Sequence, residues 1–188
     1  MSDELVDLLD NKGNKTGKMA LKSEAHKKGL WHEAVHLWIF NDKGEILLQH
    51  RCPEKVLFPN LWDISVAGHM GAGEDPGNVA LREAKEELGL NLNRSLLKKI
   101  SVFKLSVEAN DSILNNEFIH LFTYKLNYKP KLVYQKGEVD DAKFISLSDF
   151  ESDLTDKKRA KQYVADGKFY GEALNAIRQE LSKIVPKE

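Results

Sequence analysis

The residues of this chain whose types and spacing could do chemistry lie between Gly68 and Leu90, in the run GHMGAGEDPGNVALREAKEELGL. Five residues separate Gly68 from Glu74 and seven separate Glu74 from Arg82-Glu83, after which come Ala84, Lys85, the pair Glu86-Glu87, Leu88, Gly89 and Leu90. At usual frequencies of about 5–7% per residue type, seven such fixed positions arise by chance about once in 10⁹ starting points. Composition alone does not produce them. Pro76 and Gly77 open a helix that Gly89 closes, with Asp75 placed as its cap. At about 100° per residue, the spacing predicts a packing side with Leu81, Ala84 and Leu88, and a carboxylate side with Glu83, Glu86 and Glu87. Glu83 and Glu87 stand one turn apart, which destabilises an isolated helix by a few tenths of a kcal/mol, roughly. A divalent cation reverses that sign, because a hard ion such as Mg²⁺ takes carboxylate oxygens together with substrate phosphates. The plain alternative is a solvated charged face with an Arg82–Glu86 pair. Against it stands the approach through Gly68, Gly71 and Gly73, which lets backbone come close to a ligand and leads into a helix N-terminus.

The segment resembles a complete Nudix box, the signature of hydrolases acting on diphosphates linked to another moiety; Ala84 is a small occupant of a usually aliphatic position. The resemblance implies an α/β fold, an α/β/α sandwich on a mixed β-sheet, with the box forming loop, helix and loop. It also implies that Glu83, Glu86 and Glu87 hold Mg²⁺ or Mn²⁺, with the carbonyl of Gly68 as a further ligand. Arg82 would orient a neighbouring glutamate and Glu74 would brace the loop.

Outside the box, WHEAVHLWIFNDKGEILLQHR and LWDISVAGHMGAGE resemble the isopentenyl-diphosphate isomerase branch of the same superfamily. That resemblance implies a second metal group of His26, His32, His69 and Glu117, suited to a transition metal, with Asn115 where the branch has another carboxylate. It implies diphosphate handles at Lys22, Arg51 and Lys55. The chain departs from the branch where it matters for isomerisation. Ala67 stands at the catalytic cysteine, Leu105 at the tyrosine, and Glu83 where isomerases carry a basic residue. Alanine has no proton to deliver across an allylic system. Hydrolysis by water attacking phosphorus is therefore the expected chemistry, with the catalytic set Arg82, Glu83, Glu86, Glu87 and Glu117; Glu117, Glu138, Glu86 and Glu83 are all open as the base. A nucleoside diphosphate derivative is the first substrate expected and an isoprenyl diphosphate the second. An isomerase-like protein and a non-catalytic diphosphate-binding module are the other two classes. Trp31, Phe58, Trp62 and Tyr134 could stack on a nucleobase, line an isoprenoid pocket or simply be core.

The elements that must position these groups read as one domain over 1–188, with a hairpin extension at about 1–30 and helices at about 146–188. Leu5 to Leu9 and Lys15 to Met19 flank the turn Asn11–Asn14; Glu33 to Phe40 and Glu45 to Arg51 form a clearer hairpin around Asn41-Asp42-Lys43-Gly44. Ile100 to Val107 and Phe118 to Leu126 read as strands separated by a polar loop from Glu108 to Asn116. Phe144-Ile145 ends a further strand, and Ser146 to Leu154 and Gly171 to Ile184 read as helices. His36, His50 and His120 alternate with apolar residues as ordinary sheet positions do. The 28 basic and 29 acidic side chains nearly balance, which speaks against a nucleic-acid surface or a polybasic membrane anchor and for a small-molecule substrate. With Cys52 the one cysteine, no internal disulfide forms, and the thiol reads as incidental. An acidic amino terminus without an apolar core gives a cytoplasmic expectation, and a homodimer is the assembly allowed for.

Overall fold

The computed structural model describes residues 3–110, 113–165 and 167–183. Strand β3, His32–Asn41, is the spine, because its alternation is apolar on both sides: Val35, Leu37 and Ile39 enter one core, Trp38 and Phe40 the other. It pairs in parallel with β8 (Ile113–Leu126) and antiparallel with β6 (Val66–His69). Strand β4 (Glu45–Arg51) carries β9 (Val139–Ser146) and the short β5 (Trp62–Asp63), and β7 (Lys98–Asn110) completes the far edge against β8. The sheet is thus mixed and seven-stranded. Helix α2, Pro76–Leu88, covers one face through Val79, Ala80, Ala84 and Leu88. Helices α3 (Leu147–Thr155) and α4 (Gly167–Ser182) cover the other through Phe150, Tyr170, Leu174 and Ile177. This is the expected α/β/α sandwich.

Local chemistry sets the boundaries of α2. The Asp75 carboxylate accepts the Asn78 N–H at 3.0 Å, Pro76 stands in the first turn, and Gly89 at φ 70° closes the helix. The N–H groups of Gly89 and Leu90 bond back to the Lys85 and Ala84 carbonyls. Past that end, the Val133 and Gln135 N–H groups take the carbonyls of Leu88 and Glu87, so the 127–138 segment is laid over the helix terminus.

Before the spine come β1 (Leu5–Leu9) and β2 (Lys15–Leu21), a separate antiparallel hairpin, and α1 (Lys22–Lys28), which the sequence reading did not find. The peptide KSEAHKK has no apolar periodicity; the helix buries only Ala25 and stops at Gly29 in the left-handed region.

Three readings need correction. The expected polar loop from Glu108 to Asn116 is mostly strand: β7 runs through Asn110 and β8 starts at Ile113, with 111–112 outside the described residues. Its polarity misled because Asn115, Asn116 and Glu117 are buried, Asn116 bonding the Gly29 carbonyl at 2.8 Å and accepting the Ser106 hydroxyl at 2.6 Å. The β3–β4 hairpin is real at its turn, where the Asn41 side chain accepts the Lys43 and Glu45 N–H groups, yet its ladder holds only Phe40 opposite Ile46 before the strands find other partners. The last helix starts earlier than Gly171, and Ile184 lies outside the described residues.

Trp38, 1% exposed, meets Phe150 and Tyr170 edge-on with ring centroids 6.0 and 5.3 Å apart. Trp38→Ala should cost about 3–5 kcal/mol. Urea unfolding checks this; a loss below about 1 kcal/mol would show that this face is not a packed core.

Candidate functional site

On the α2 side of the sheet the box residues converge. A Cβ added to Gly68 would lie 2.4 Å from Glu83 Cγ and 2.5 Å from its Cδ, so the Glu83 side chain rests directly on the Gly68 backbone. Arg82 reaches Glu83 at 2.8 Å, Glu86 at 3.2 Å and Glu74 at 3.2 Å. The helical wheel set Glu87 opposite the packing side, yet it is buried, at 5% exposed. The reason is angular: Glu87 sits only about 60° around the helix from Ala84, and the buried arc is turned toward Glu87, Ala80 and Val79, leaving Leu81 half-exposed at its margin. Gln49, itself buried, donates its amide N–H to Glu87 Oε2 at 3.0 Å. Burial, then the nearby Glu83, pushes the Glu87 carboxyl up to about 8 despite Gln49 and Lys55. Burial also raises Glu83, with Arg82 pulling against it. Two crowded, desolvated carboxylates beside the Gly68 backbone present the hard oxygens that a divalent cation takes.

The glycine-rich approach behaves differently from expectation. Every N–H from Met70 to Glu74 is already bonded: to Glu33 O, Glu74 Oε2, Leu5 O, Asp7 Oδ2 and Gly71 O in turn. With Asp75 also occupying the helix N-terminus, no free N–H groups there face a phosphate. The loop is a scaffold that fixes Glu74 and α2. Gly73, at φ 78°, supplies the backbone turn this requires.

The histidines meet on the opposite face, because strand alternation places His32 with Trp38, His69 with Ala67, and Glu117 with Leu121 on the α3–α4 side. His32 and Glu117 are also register partners across β3 and β8. One ligand atom from each of His26, His32, His69 and Glu117 lies within 4.8 Å of all the others. Glu117 Oε1 stands 3.1 Å from His69 Nε2 and 3.7 Å from His32 Nε2, and Nε2 of all three rings is buried without a well-formed hydrogen bond. His32 Nδ1–H donates to the Leu30 carbonyl at 3.0 Å, which fixes the tautomer and leaves Nε2 with its lone pair. Burial, reinforced by His69 and His32, takes His26 down to about 4, and burial lowers His32 too. Three imidazoles, His26 and His32 among them held neutral, around the carboxylate of Glu117 fit a transition metal. Asn115, two residues before Glu117 on the same strand face, adds a buried amide oxygen without a partner. Glu117, read also as a candidate base, is therefore grouped with the histidines and not with the α2 carboxylates.

The three basic handles are not alike. Lys55 pairs with Glu138 beside Glu87, so Lys55 and the buried Glu138 border the carboxylate site. Lys22, at the start of α1, is 3.9 Å from Glu4 and close enough to His26 and His32 to depress their protonation. Arg51 is a brace: it donates to the Leu57 carbonyl at 2.8 Å, the Phe58 carbonyl at 3.1 Å and Asp63 at 3.1 Å, tying down the 52–61 loop in which Phe58 and Asn60 have positive φ. Among the aromatic candidates, Lys104 lies over the Trp31 ring, Lys143 lies over Trp62, and the Tyr134 hydroxyl accepts the Ala142 N–H. Cys52 is buried, and burial raises its thiol, as an unreactive cysteine requires. His120 and His50 are engaged with Glu33 and Asp140, while His36 meets Phe103 and Phe169 edge-on. Gln49 is the site residue that sequence reasoning missed; its signal was only a polar residue at an inward position of β4.

A family model described as NUDIX domain matches residues 30–167, most of the chain. The chain belongs to the Nudix family. Among its relatives, Nudix hydrolase 3 of Arabidopsis thaliana is 36% identical over 185 residues, 95% of this chain but 24% of that protein, so the chain spans about a quarter of that relative. A Photorhabdus laumondii protein named Isopentenyl-diphosphate Delta-isomerase 2 is 32% identical over 145 residues, 77% of this chain and 78% of that one. The Nudix fold is matched by the crystal structure of a Deinococcus radiodurans protein, DR0079, with a TM-score of 0.66 at 18% identity, covering 94% and 98% of the two chains. Among the described residues, no helix of this Nudix chain is long and apolar enough to cross a membrane.

The raised Glu87 carboxyl has a stability consequence with a definite sign. Below its ordinary 4.5 it is protonated whether folded or not; between there and about 8 the unfolded chain ionises it while the fold keeps the proton, so metal-free stability falls as pH rises. In chelator, Glu87→Gln should gain melting temperature relative to the parent progressively between about pH 5 and pH 8. Parallel curves across that window would remove the buried-carboxyl account.

Proposed function

We propose that this Nudix protein is a divalent-metal-dependent hydrolase that cleaves the diphosphate of a small substrate, first among candidates a nucleoside diphosphate linked to another moiety. The observation that supports it most is Glu87, buried beside Glu83 with one amide hydrogen bond, an arrangement that a cation relieves. In this reading Glu83, Glu86, Glu87 and the Gly68 carbonyl hold Mg²⁺ or Mn²⁺, which when bound would polarise phosphate oxygens and lower the pKa of water. Arg82 holds Glu83 and Glu86 in place. Lys55 stands ready to exchange its Glu138 partner for a phosphate oxygen. That exchange would free Glu138, the carboxylate outside α2 that borders Glu87, to take the proton of attacking water. The site would thus couple substrate arrival to base release.

A second reading rests on the histidine group and on the isomerase-named relative: an isomerase-like protein acting on isoprenyl diphosphates, with a transition metal at His26, His32, His69 and Glu117. Alanine at position 67 offers no proton, which favours hydrolysis.

The test is incubation with Mg²⁺ or Mn²⁺ and a panel of nucleotide and isoprenyl diphosphates, with products identified by mass. Phosphate or monophosphate release is expected. Interconversion of isopentenyl and dimethylallyl isomers would install the second reading, and binding without turnover would make the chain a diphosphate-binding module. Glu87→Gln should lower turnover at least about 100-fold, roughly 2.7 kcal/mol of barrier. Gly68→Ala, whose methyl occupies the space of the Glu83 side chain, should lose about 100-fold by displacing that ligand. Both should keep the parent's circular dichroism, and unchanged turnover in either would count against the metal assignment.

A further inference from the structure

The N-terminal hairpin lies outside the residues matched by the family model, yet it holds the loop from which the carboxylate helix springs. Leu5 O accepts the Ala72 N–H at 2.8 Å, and Asp7 Oδ2 accepts the Gly73 N–H at 2.9 Å. Asp7 is itself anchored by Lys15 at 2.8 Å, and Lys15 reaches Glu33 at 3.6 Å. Glu33 closes the circuit: its other carboxylate oxygen meets His120 at 2.9 Å, and its carbonyl accepts the Met70 N–H at 3.2 Å. One chain of polar contacts across β1, β2, β3 and β8 therefore grips the box loop at both Met70 and Gly73.

From that loop the constraint passes to the ligands. Glu74 accepts the Gly71 N–H at 2.7 Å and Arg82 at 3.2 Å, and Arg82 in turn fixes Glu83 and Glu86. We propose that Asp7 is a positioning residue for the α2 carboxylates, acting through its bond to Gly73 and the Glu74–Arg82 contact. This rests on the reading of those carboxylates as the metal site. With a side chain 22% exposed, Asp7 contributes little core packing, so its removal loosens the loop without dismantling the fold. The fold thus recruits a segment outside the box to set the geometry inside it.

The experiment compares Asp7→Ala, which deletes the acceptor, with Asp7→Asn, whose amide oxygen still accepts the Gly73 N–H. Mn²⁺ affinity is read first, without substrate, by electron paramagnetic resonance; turnover and KM follow on whichever diphosphate the parent hydrolyses. Asp7→Ala is expected to weaken Mn²⁺ binding and lower kcat by about tenfold, with KM little changed, and Asp7→Asn to recover most of both. Parental Mn²⁺ affinity and kcat in Asp7→Ala would overturn the proposal, as would an Asp7→Asn loss as large as that of Asp7→Ala. If Asp7→Ala does not fold, Asp7→Asn beside Lys15→Met decides: Asp7→Asn must stay close to the parent while Lys15→Met, which unties Asp7, loses metal affinity. Should the parent hydrolyse nothing, the metal-binding comparison still judges Asp7, separately from the hydrolase reading.

Discussion

The arrangement depends on one electrostatic constraint: a carboxylate, Glu87, is buried one helical turn from another, Glu83, in the space between α2 and the sheet. An isolated ionised carboxylate in such a place costs several kcal/mol, roughly. The fold answers with an amide from Gln49, a cation at Lys55 whose charge is shared with Glu138, and a glycine at position 68 that leaves room for Glu83. In the metal-free protein a bound proton satisfies Glu87, and the same oxygens are the proposed ligands. Loop 70–75, the caps of α2 and the 127–138 segment over its end serve to hold these oxygens in place.

The period-2 geometry of one short strand divides the molecule's chemistry between two faces. On β6, Gly68 lies under Glu83 on the α2 side, and the next residue, His69, points to Glu117 on the other. The two candidate metal groups are therefore neighbours along the backbone and separated by the sheet. Their donor chemistry differs accordingly: hard oxygens on the α2 side, and three imidazoles with one carboxylate on the other.

What the sequence made legible was local. The spacing of the box, Asp75 and Pro76 at the start of α2 and Gly89 at its end are all decided by near neighbours, and the structure has them as read. The side to which α2 turns is a tertiary matter, and there the wheel misassigned Glu87 because Val79 and Ala80 draw the buried arc toward it. The same limit hid α1, whose only buried residue is Ala25, and the strand character of 113–116, where the buried Asn116 bonds partners distant in sequence. The glycines at 71 and 73 read as a close backbone approach to a ligand because residue type does not reveal that Leu5 and Asp7 already occupy their neighbourhood. His26, His32, His69 and Glu117 are too scattered along the chain for spacing to unite them; the family resemblance, not periodicity, brought them together.

The central claim is that the buried α2 carboxylates form a cation site that exchanges a proton for a metal. Calorimetric titration with Mn²⁺ at pH 7, repeated in two buffers of different ionisation enthalpy, measures both the ion bound and the protons set free. The account predicts binding with about one proton released, and a Glu87→Gln protein in which that release is gone while binding at the histidine group persists. Binding without proton release in the parent, or the same release in Glu87→Gln, would contradict it.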